Sequence, residues 1–253
     1  MIVSNTTSAP GLARRGPRRA ARPASPASAS TTAPSSRPAL AAIAVGGIAV
    51  FAVTGAIVRN ERPTRRPRLD RVVRRDAHAP LHALFSRWLP GVDTSAATPH
   101  AASRALGRVG GKLETLIAMS LAGAALGARR GAKPALPVLA AIPLVLGTSE
   151  ALKPAVRRPR PWTARLMGKK SRSFPSGHAA RAAAMFGLAA HVARREGMVS
   201  PLVARSLAVT LPLAVGASRL HVDRHWATDV IGGLGYGAAA AALCAMWYDA
   251  VTE

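Results

Sequence analysis

Three clusters of polar residues in the second half of the chain combine side chains that can hold a phosphate and attack it. They are Lys153 with Arg160-Pro161, Pro175-Ser176-Gly177-His178, and Ser218-Arg219 followed by His225 and Asp229. Each cluster lies where a predicted apolar helix meets a polar loop. Together they offer fixed cations, a hydroxyl, two imidazoles and a carboxylate, a set suited to the attack of a histidine on a bound phosphate.

The third cluster places a histidine and a carboxylate at helical spacing. His225 and Asp229 are four residues apart, and Arg219 precedes His225 by six. A carboxylate that holds Nδ1–H fixes the tautomer and leaves Nε2 free as a nucleophile, while the arginine can hold the phosphate under attack. The alternative is a structural His–Asp hydrogen bond that closes a loop onto a helix.

The second cluster directly precedes an alanine-rich helix that we predict from Ala179. Unpaired N–H groups and the positive end of the helix dipole favour an anion at such a start. Gly177 lets the backbone approach a phosphate closely, and Ser176 can donate its hydroxyl. A plain turn in which Ser176 caps the helix is the alternative.

The first cluster follows another apolar helix. Arg160 offers a planar fork for two phosphate oxygens, and Lys153 adds a point charge. Anchoring in lipid headgroups is the alternative for basic residues at a helix end. We assign the neighbouring Arg157 and Arg158 to that headgroup role and leave them out of the site.

Composition indicates that the elements holding these clusters lie in a membrane. The chain of 253 residues is 49% hydrophobic and still carries a formal net charge of +24. Both are explained if apolar residues form spans and arginines occupy the tail, loops and helix ends. The basic residues are scattered among apolar runs with few aromatics, so we expect no nucleic-acid partner.

Six apolar runs predict an all-α, integral-membrane helical bundle of about six transmembrane helices. Residues 39–58 are uncharged over twenty positions, which is the length that crosses a bilayer core as a helix. The other runs are approximately 115–128, 135–152, 179–193, 202–217 and 230–248. We interpret His191, in the fourth run, as a hydrogen-bonded bundle histidine. We interpret His221, after the fifth run, either as structural or as a residue that supports the site residues from behind.

The domain organisation follows from the same pattern. Residues 1–38, rich in Ala, Pro, Ser and Arg, are predicted to be a disordered basic tail, and residues 39–253 form the membrane-embedded domain. Within that domain, residues 59–112 are a basic segment. Around residues 81–89 the apolar spacing fits an amphipathic helix at the membrane surface, and a solvated loop is the alternative.

The order and spacing of the three clusters resemble the type 2 phosphatidic acid phosphatase (PAP2) superfamily. The pattern is Lys, six residues, Arg-Pro; then Pro-Ser-Gly-His; then Ser-Arg, five residues, His, three residues, Asp. It matches the three motifs of that superfamily at every defining position. The resemblance covers about residues 114–248.

The resemblance implies a role for each motif residue. His225 is expected to attack phosphorus and form a phosphohistidine, oriented by Asp229, and His178 to protonate the leaving oxygen and then activate water. The phosphate oxygens would be held by Lys153, Arg160, Arg219, Ser176 and the N–H of Gly177. Because these cations take the place that metals fill in other phosphatases, we expect no metal site and no cofactor.

The resemblance also implies a function and a location. We expect a metal-independent lipid phosphate phosphatase acting on phosphatidate, phosphatidylglycerol phosphate or a polyprenyl (di)phosphate, with anionic headgroups at the basic loops. It would be an integral protein of a bacterial cell membrane with the site facing outside, although the basic residues of 59–112 on that side oppose the positive-inside tendency. The alternatives are a non-catalytic lipid-phosphate-binding membrane protein and a haloperoxidase-like or acid-phosphatase-like activity in the same pocket.

Overall fold

The structure, a computed structural model, describes residues 36–61, 70–73, 97–161, 164, 168 and 172–253. These residues contain seven long helices and no strand, which confirms the predicted all-α fold. In chain order they are α1 (Arg37–Arg59), α2 (Ala97–Val109), α3 (Lys112–Arg130), α4 (Ala132–Val156), α5 (Gly177–Arg195), α6 (Pro201–His221) and α7 (Ala227–Thr252).

Apart from α2, the helices alternate in direction, and this brings the three clusters to one end of the bundle. Ser36, before α1, donates to Asp249 near the end of α7 at 2.5 Å. Glu61, after α1, accepts from Arg158, after α4, at 2.8 Å. The short connections between α3 and α4 and between α5 and α6 also favour antiparallel neighbours. We call the end where α1, α4 and α6 finish the site end, and the opposite one the far end.

Small residues allow α7 to pack at the centre of the bundle. A Cβ atom added to Gly47 of α1 would lie 2.5 Å from the carbonyl oxygen of Gly235. One added to Gly237 would lie 2.1 Å from the carbonyl oxygen of Ala180 on α5. Backbones this close require glycine, and such packing is typical of helices in lipid. The buried α7 therefore supplies a fixed base for the residues at its start.

Four helices of the described part are long and apolar enough to cross a membrane, namely α1, α4, α6 and α7. Residues 102–109 together with α3, bent by 45°, make a fifth span if the pair is counted as one. All six predicted apolar runs lie on helices, so the helical membrane bundle is confirmed. The described part contains four spans, or five with the bent pair, rather than about six, and α5 is not among them. Its first half is buried inside the protein, Arg181 included, so it needs no continuous apolar face toward lipid.

Several predicted boundaries differ from the helices or lie beyond what the structure describes. Helix α1 begins at Arg37, two residues before the predicted run. Residues 1–35 of the predicted tail and residues 81–89 lie outside the described residues. The basic segment 59–112 contains α2, which the sequence pattern did not predict.

Candidate active site

Lys153 and Arg160 approach the site from the last turn of α4 and the loop after it. Nζ of Lys153 lies 2.8 Å from a carboxylate oxygen of Glu150, one helical turn earlier. The helix ends where Arg157 adopts a left-handed conformation with φ of 52°. Beyond this turn Arg160 donates from Nη1 to the carbonyl oxygen of Arg224 at 2.7 Å. The predicted pair of cations is therefore held by the last turn of α4 and the loop after it.

Gly177 and His178 begin α5 and line a cavity together with Lys153 and Arg160, whereas Ser176 is not part of that lining. The N–H of Ser176 donates to the carbonyl oxygen of Asp229 at 3.0 Å, which ties this loop to α7. The Ser176 hydroxyl is buried and has no hydrogen-bond partner among the described residues, so it does not cap α5. A Cβ on Gly177 would lie 2.8 Å from Nη1 of Arg181, so this glycine also leaves room for a buried guanidinium.

His225 occupies the loop between α6 and α7, and both of its ring nitrogens have a partner. Nδ1 lies 3.0 Å from the carbonyl oxygen of Ser173, and Nε2 lies 3.1 Å from Nη1 of Arg160. Because a carbonyl accepts and a guanidinium donates, Nδ1 carries the proton and Nε2 presents its lone pair. Burial, assisted by the charges of Arg160 and Arg219, lowers the pKa of His225 to about 4. The ring is therefore neutral near pH 7.

Asp229 stands behind His225 and is not its direct hydrogen-bond acceptor. Its Oδ2 lies 3.6 Å from Nδ1 of His225 and accepts the N–H of Trp226 at 2.9 Å. The carbonyl of Ser173 takes the place that the sequence pattern assigned to the carboxylate. The tautomer is the expected one, and at this distance Asp229 still favours positive charge on the imidazole.

Arg158 does not have the headgroup role assigned to it from the sequence. It is 3% exposed, and its Nη1 donates to Oδ1 of Asp229 at 2.6 Å. It also forms ion pairs with Glu61, at 2.8 Å, and with Asp70. Although burial opposes its charge, the carboxylates of Asp229 and Asp70 raise the pKa of Arg158. Arg158 therefore links Asp229 to two carboxylates from the segment before the motifs.

These loops surround one cavity of about 700 Å³. It is lined by Lys153, Arg160, Gly177, His178, Arg219 and His225 of the predicted site, and also by Arg104, Arg108, Lys112, Glu150, Arg181, Val222 and Arg224. The structure thus brings six of the eight predicted site residues to the cavity, while Ser176 and Asp229 lie behind them. Eight Lys or Arg side chains and one carboxylate make the lining strongly positive, as an anionic ligand requires.

Helix α2 forms a wall of this cavity that sequence reasoning missed. Nη2 of Arg219 donates to the carbonyl oxygen of Ser103 at 2.7 Å, and Nε of Arg181 donates to that of Gly110 at 2.9 Å. A Cβ on Gly107 would lie 1.4 Å from Nη2 of Arg219. Glycine therefore allows α2 to lie directly against a predicted phosphate-binding arginine.

Comparisons with known proteins agree with this arrangement. The sequence model of the PAP2 superfamily matches residues 134–253, which contain all three motif clusters. These 120 of the 253 residues are similar to the PAP2 superfamily.

Two PAP2 proteins of Bacillus subtilis show where the similarity lies. Phosphatidylglycerophosphatase B of strain 168 is 35% identical over 106 residues, and the match covers 37% of this chain and 50% of that relative. The match thus spans half of the relative's length. The crystal structure of the first transmembrane PAP2 type phosphatidylglycerolphosphate phosphatase from this organism aligns with a TM-score of 0.63 at 19% identity. It covers 83% of this chain and 98% of that chain, so the two share a fold.

Two further histidines of this chain lie away from the cavity lining. His191 of α5 is bonded to Asp249, with 2.9 Å between Nε2 and Oδ1, as expected for a bundle histidine. His221, at the end of α6, is 2% exposed. Its burial agrees with the structural interpretation.

Proposed function

We propose that this protein is an integral-membrane phosphatase that removes a phosphate from a membrane-lipid phosphomonoester or diphosphate without a metal ion. The observation that carries the proposal is the arrangement around His225. Its neutral ring presents Nε2 beside a cavity that is also lined by Lys153, Arg160 and Arg219. A nucleophile next to fixed cations is what attack on an anionic phosphoryl group requires.

In the first step, Nε2 of His225 attacks phosphorus, and the bond from phosphorus to the leaving oxygen breaks. Arg160, which donates to Nε2, transfers its hydrogen bond to a phosphoryl oxygen. Burial and the charges of Arg219 and Arg181 lower the pKa of His178 to about 2, so its ring has to take up a proton when the substrate binds, and the negative charge of the bound phosphate favours that protonation. His178 then gives this proton to the leaving oxygen, and the products are a phosphohistidine and the free lipid alcohol or lipid phosphate.

In the second step, His178 accepts a proton from water, and the resulting hydroxide attacks phosphorus. The bond between phosphorus and Nε2 breaks, and inorganic phosphate leaves. Asp229 lies 3.6 Å from Nδ1, so its charge stabilises the imidazole while it is substituted and positive. Arg158 holds this carboxylate in place.

Phosphatidylglycerol phosphate is the first substrate to test, since both relatives are named for it, and phosphatidate and polyprenyl diphosphates follow. We infer that the site end faces the outside of a bacterial cell membrane, with the start of α1 on the inner side. A cysteine at exposed Asn60, in a Cys244→Ser background, tests this orientation. An impermeant maleimide should label it in intact cells, and labelling only after lysis would contradict the inference.

Phosphate release by the detergent-purified protein in a chelating buffer tests the activity. We expect release from at least one lipid phosphate by the wild type and none by His225→Ala. Equal release by both proteins would contradict the role of His225, and activity that requires added metal would contradict the metal-free mechanism. No release from any lipid would contradict the phosphatase and favour lipid-phosphate binding.

A further inference from the structure

Arg104 and Arg108, which we call the outer pair, line the cavity from α2. They are four residues apart, so they lie one above the other on the same helix face. The outer pair is held beside the predicted catalytic residues by two buried arginines. Arg219 donates to the carbonyl oxygen of Ser103 in α2, and Arg181 donates to that of Gly110, the residue after α2. Its position is therefore tied to that of the reacting phosphate.

The positive charge of the cavity exceeds what one phosphate requires. The three positive charges of Lys153, Arg160 and Arg219 already exceed the two negative charges of one phosphoryl group. Glu150 is the one carboxylate among the described lining residues, and it is shared by Lys112 at 3.0 Å and Lys153 at 2.8 Å. The outer pair thus adds two further charges to a lining that is already positive.

We propose that the outer pair forms a second anion subsite, which binds a second phosphate on the same substrate molecule. This inference rests on the proposed function. The substrate class would be a lipid diphosphate, or a lipid whose terminal phosphomonoester is joined through a short linker to a phosphodiester. Arg104 and Arg108 would hold the phosphate that is not transferred, through charge-assisted hydrogen bonds, while the scissile one lies at His225.

The same two arginines could instead attract anionic headgroups of the surrounding bilayer. The cavity argues for the substrate, because both side chains, although exposed, line the same cavity as His178 and His225. A bilayer-binding role would affect all lipid substrates equally, and a second-phosphate subsite would not.

The test compares Arg104→Gln/Arg108→Gln with wild type on phosphatidate, which has one phosphate, and on phosphatidylglycerol phosphate and farnesyl diphosphate, which have two. The ratio of kcat/KM for a two-phosphate lipid to that for phosphatidate should fall at least about tenfold, through KM. If the ratio falls for only one of the two-phosphate lipids, the subsite is still supported, and that lipid shows which separation of the two phosphates the subsite fits. An unchanged ratio, or equal losses on all lipids, would overturn the proposal.

Two further proteins serve as controls. Arg129→Gln/Lys133→Gln removes the same charge from exposed positions around the turn between α3 and α4, at the far end, and should leave the ratio at its wild-type value. Arg104→Lys/Arg108→Lys keeps the charges and should restore most of the ratio. If the lysine variant is folded but its ratio is as low as that of the glutamine variant, an electrostatic subsite would be contradicted.

A binding measurement separates this inference from the proposed phosphatase activity. Methylenediphosphonate carries two phosphonate groups that cannot be hydrolysed from each other, and inorganic phosphate carries one. In the glutamine variant, the factor by which affinity for methylenediphosphonate falls should be at least about ten times the factor by which affinity for inorganic phosphate falls. This result would stand even if no lipid were hydrolysed, and equal losses for the two probes would refute the subsite even if the phosphatase were active.

Discussion

Helix α7 carries a buried aspartate near each end, and each aspartate has a histidine beside it. At the far end, Nε2 of His191 lies 2.9 Å from Oδ1 of Asp249. At the site end, Nδ1 of His225 lies 3.6 Å from Oδ2 of Asp229. The shorter and better formed His–Asp contact is therefore the one that is not at the cavity.

What distinguishes the two pairs is the surroundings of the histidine. Nε2 of His225 faces the guanidinium of Arg160 and a cavity rich in cations. The ring of His191 instead meets Tyr248 edge-on, with 6.2 Å between ring centroids. Asp249 is also bonded to Ser36 and Arg195, so the far-end pair joins α1, α5 and α7. A His–Asp pair thus becomes a candidate nucleophile only where fixed cations can bind its target.

Removing each histidine should give the largest contrast. His225→Ala is expected to lower kcat for lipid phosphate hydrolysis at least about 1000-fold, because no other group replaces the nucleophile. His191→Ala should keep activity within about threefold and lose about 1–3 kcal/mol of stability, since Asp249 loses a buried partner. Phosphate release and thermal unfolding in detergent measure both. A large loss of activity in folded His191→Ala protein would contradict the distinction between a nucleophilic His225 and a structural His191.

Neutralising each aspartate should give a smaller contrast. Asp229→Asn is expected to lower kcat roughly 100-fold, less than the effect seen when a carboxylate bonds a catalytic histidine directly, because the carbonyl of Ser173 still orients the ring. Asp249→Asn should alter the unfolding temperature but leave kcat nearly unchanged. Wild-type kcat in Asp229→Asn would show that the carbonyl alone is sufficient.

The motif spacing predicted the site end well because its residues lie at helix ends. Lys153, Gly177, Arg219 and His225 reach one cavity when the helices between them alternate in direction, and the apolar runs predicted those helices. The spacing of His225 and Asp229 also placed the two side by side. It did not show that the carbonyl of Ser173 would be the nearer acceptor, because a backbone acceptor leaves no mark in a side-chain pattern.

The partners of Arg158 could not be predicted from the sequence. Glu61 and Asp70 precede it by 97 and 88 positions in a segment with no apolar periodicity. A basic residue after an apolar helix is ordinarily read as a headgroup anchor. Helix α2 was missed for a similar reason, since Arg104 and Arg108 interrupt its apolar positions and its packing uses the absence of a side chain at Gly107.

The pH dependence of stability should give the smallest effect. Folded His225 has a pKa of about 4, whereas an unfolded histidine titrates near 6.5. Between these values the unfolded chain binds more protons, so acidification from pH 6.5 toward 4 lowers the free energy of unfolding, and this contribution is constant above pH 6.5. Between pH 7 and pH 4.5, the free energy of unfolding should fall by roughly 1–3 kcal/mol less in His225→Gln than in wild type. Chemical unfolding in detergent measures this, and identical losses would contradict a buried neutral ring.

Trapping the covalent intermediate tests the central claim most directly. Substrate with a radiolabelled scissile phosphate is mixed with wild type, His178→Ala and His225→Ala, and the protein is quenched in alkali, in which phosphohistidine survives. We predict label on His225 that persists longest in His178→Ala, where water is not activated, and no label in His225→Ala. Label that persists in His225→Ala, or that lies on another residue in wild type, would contradict this account.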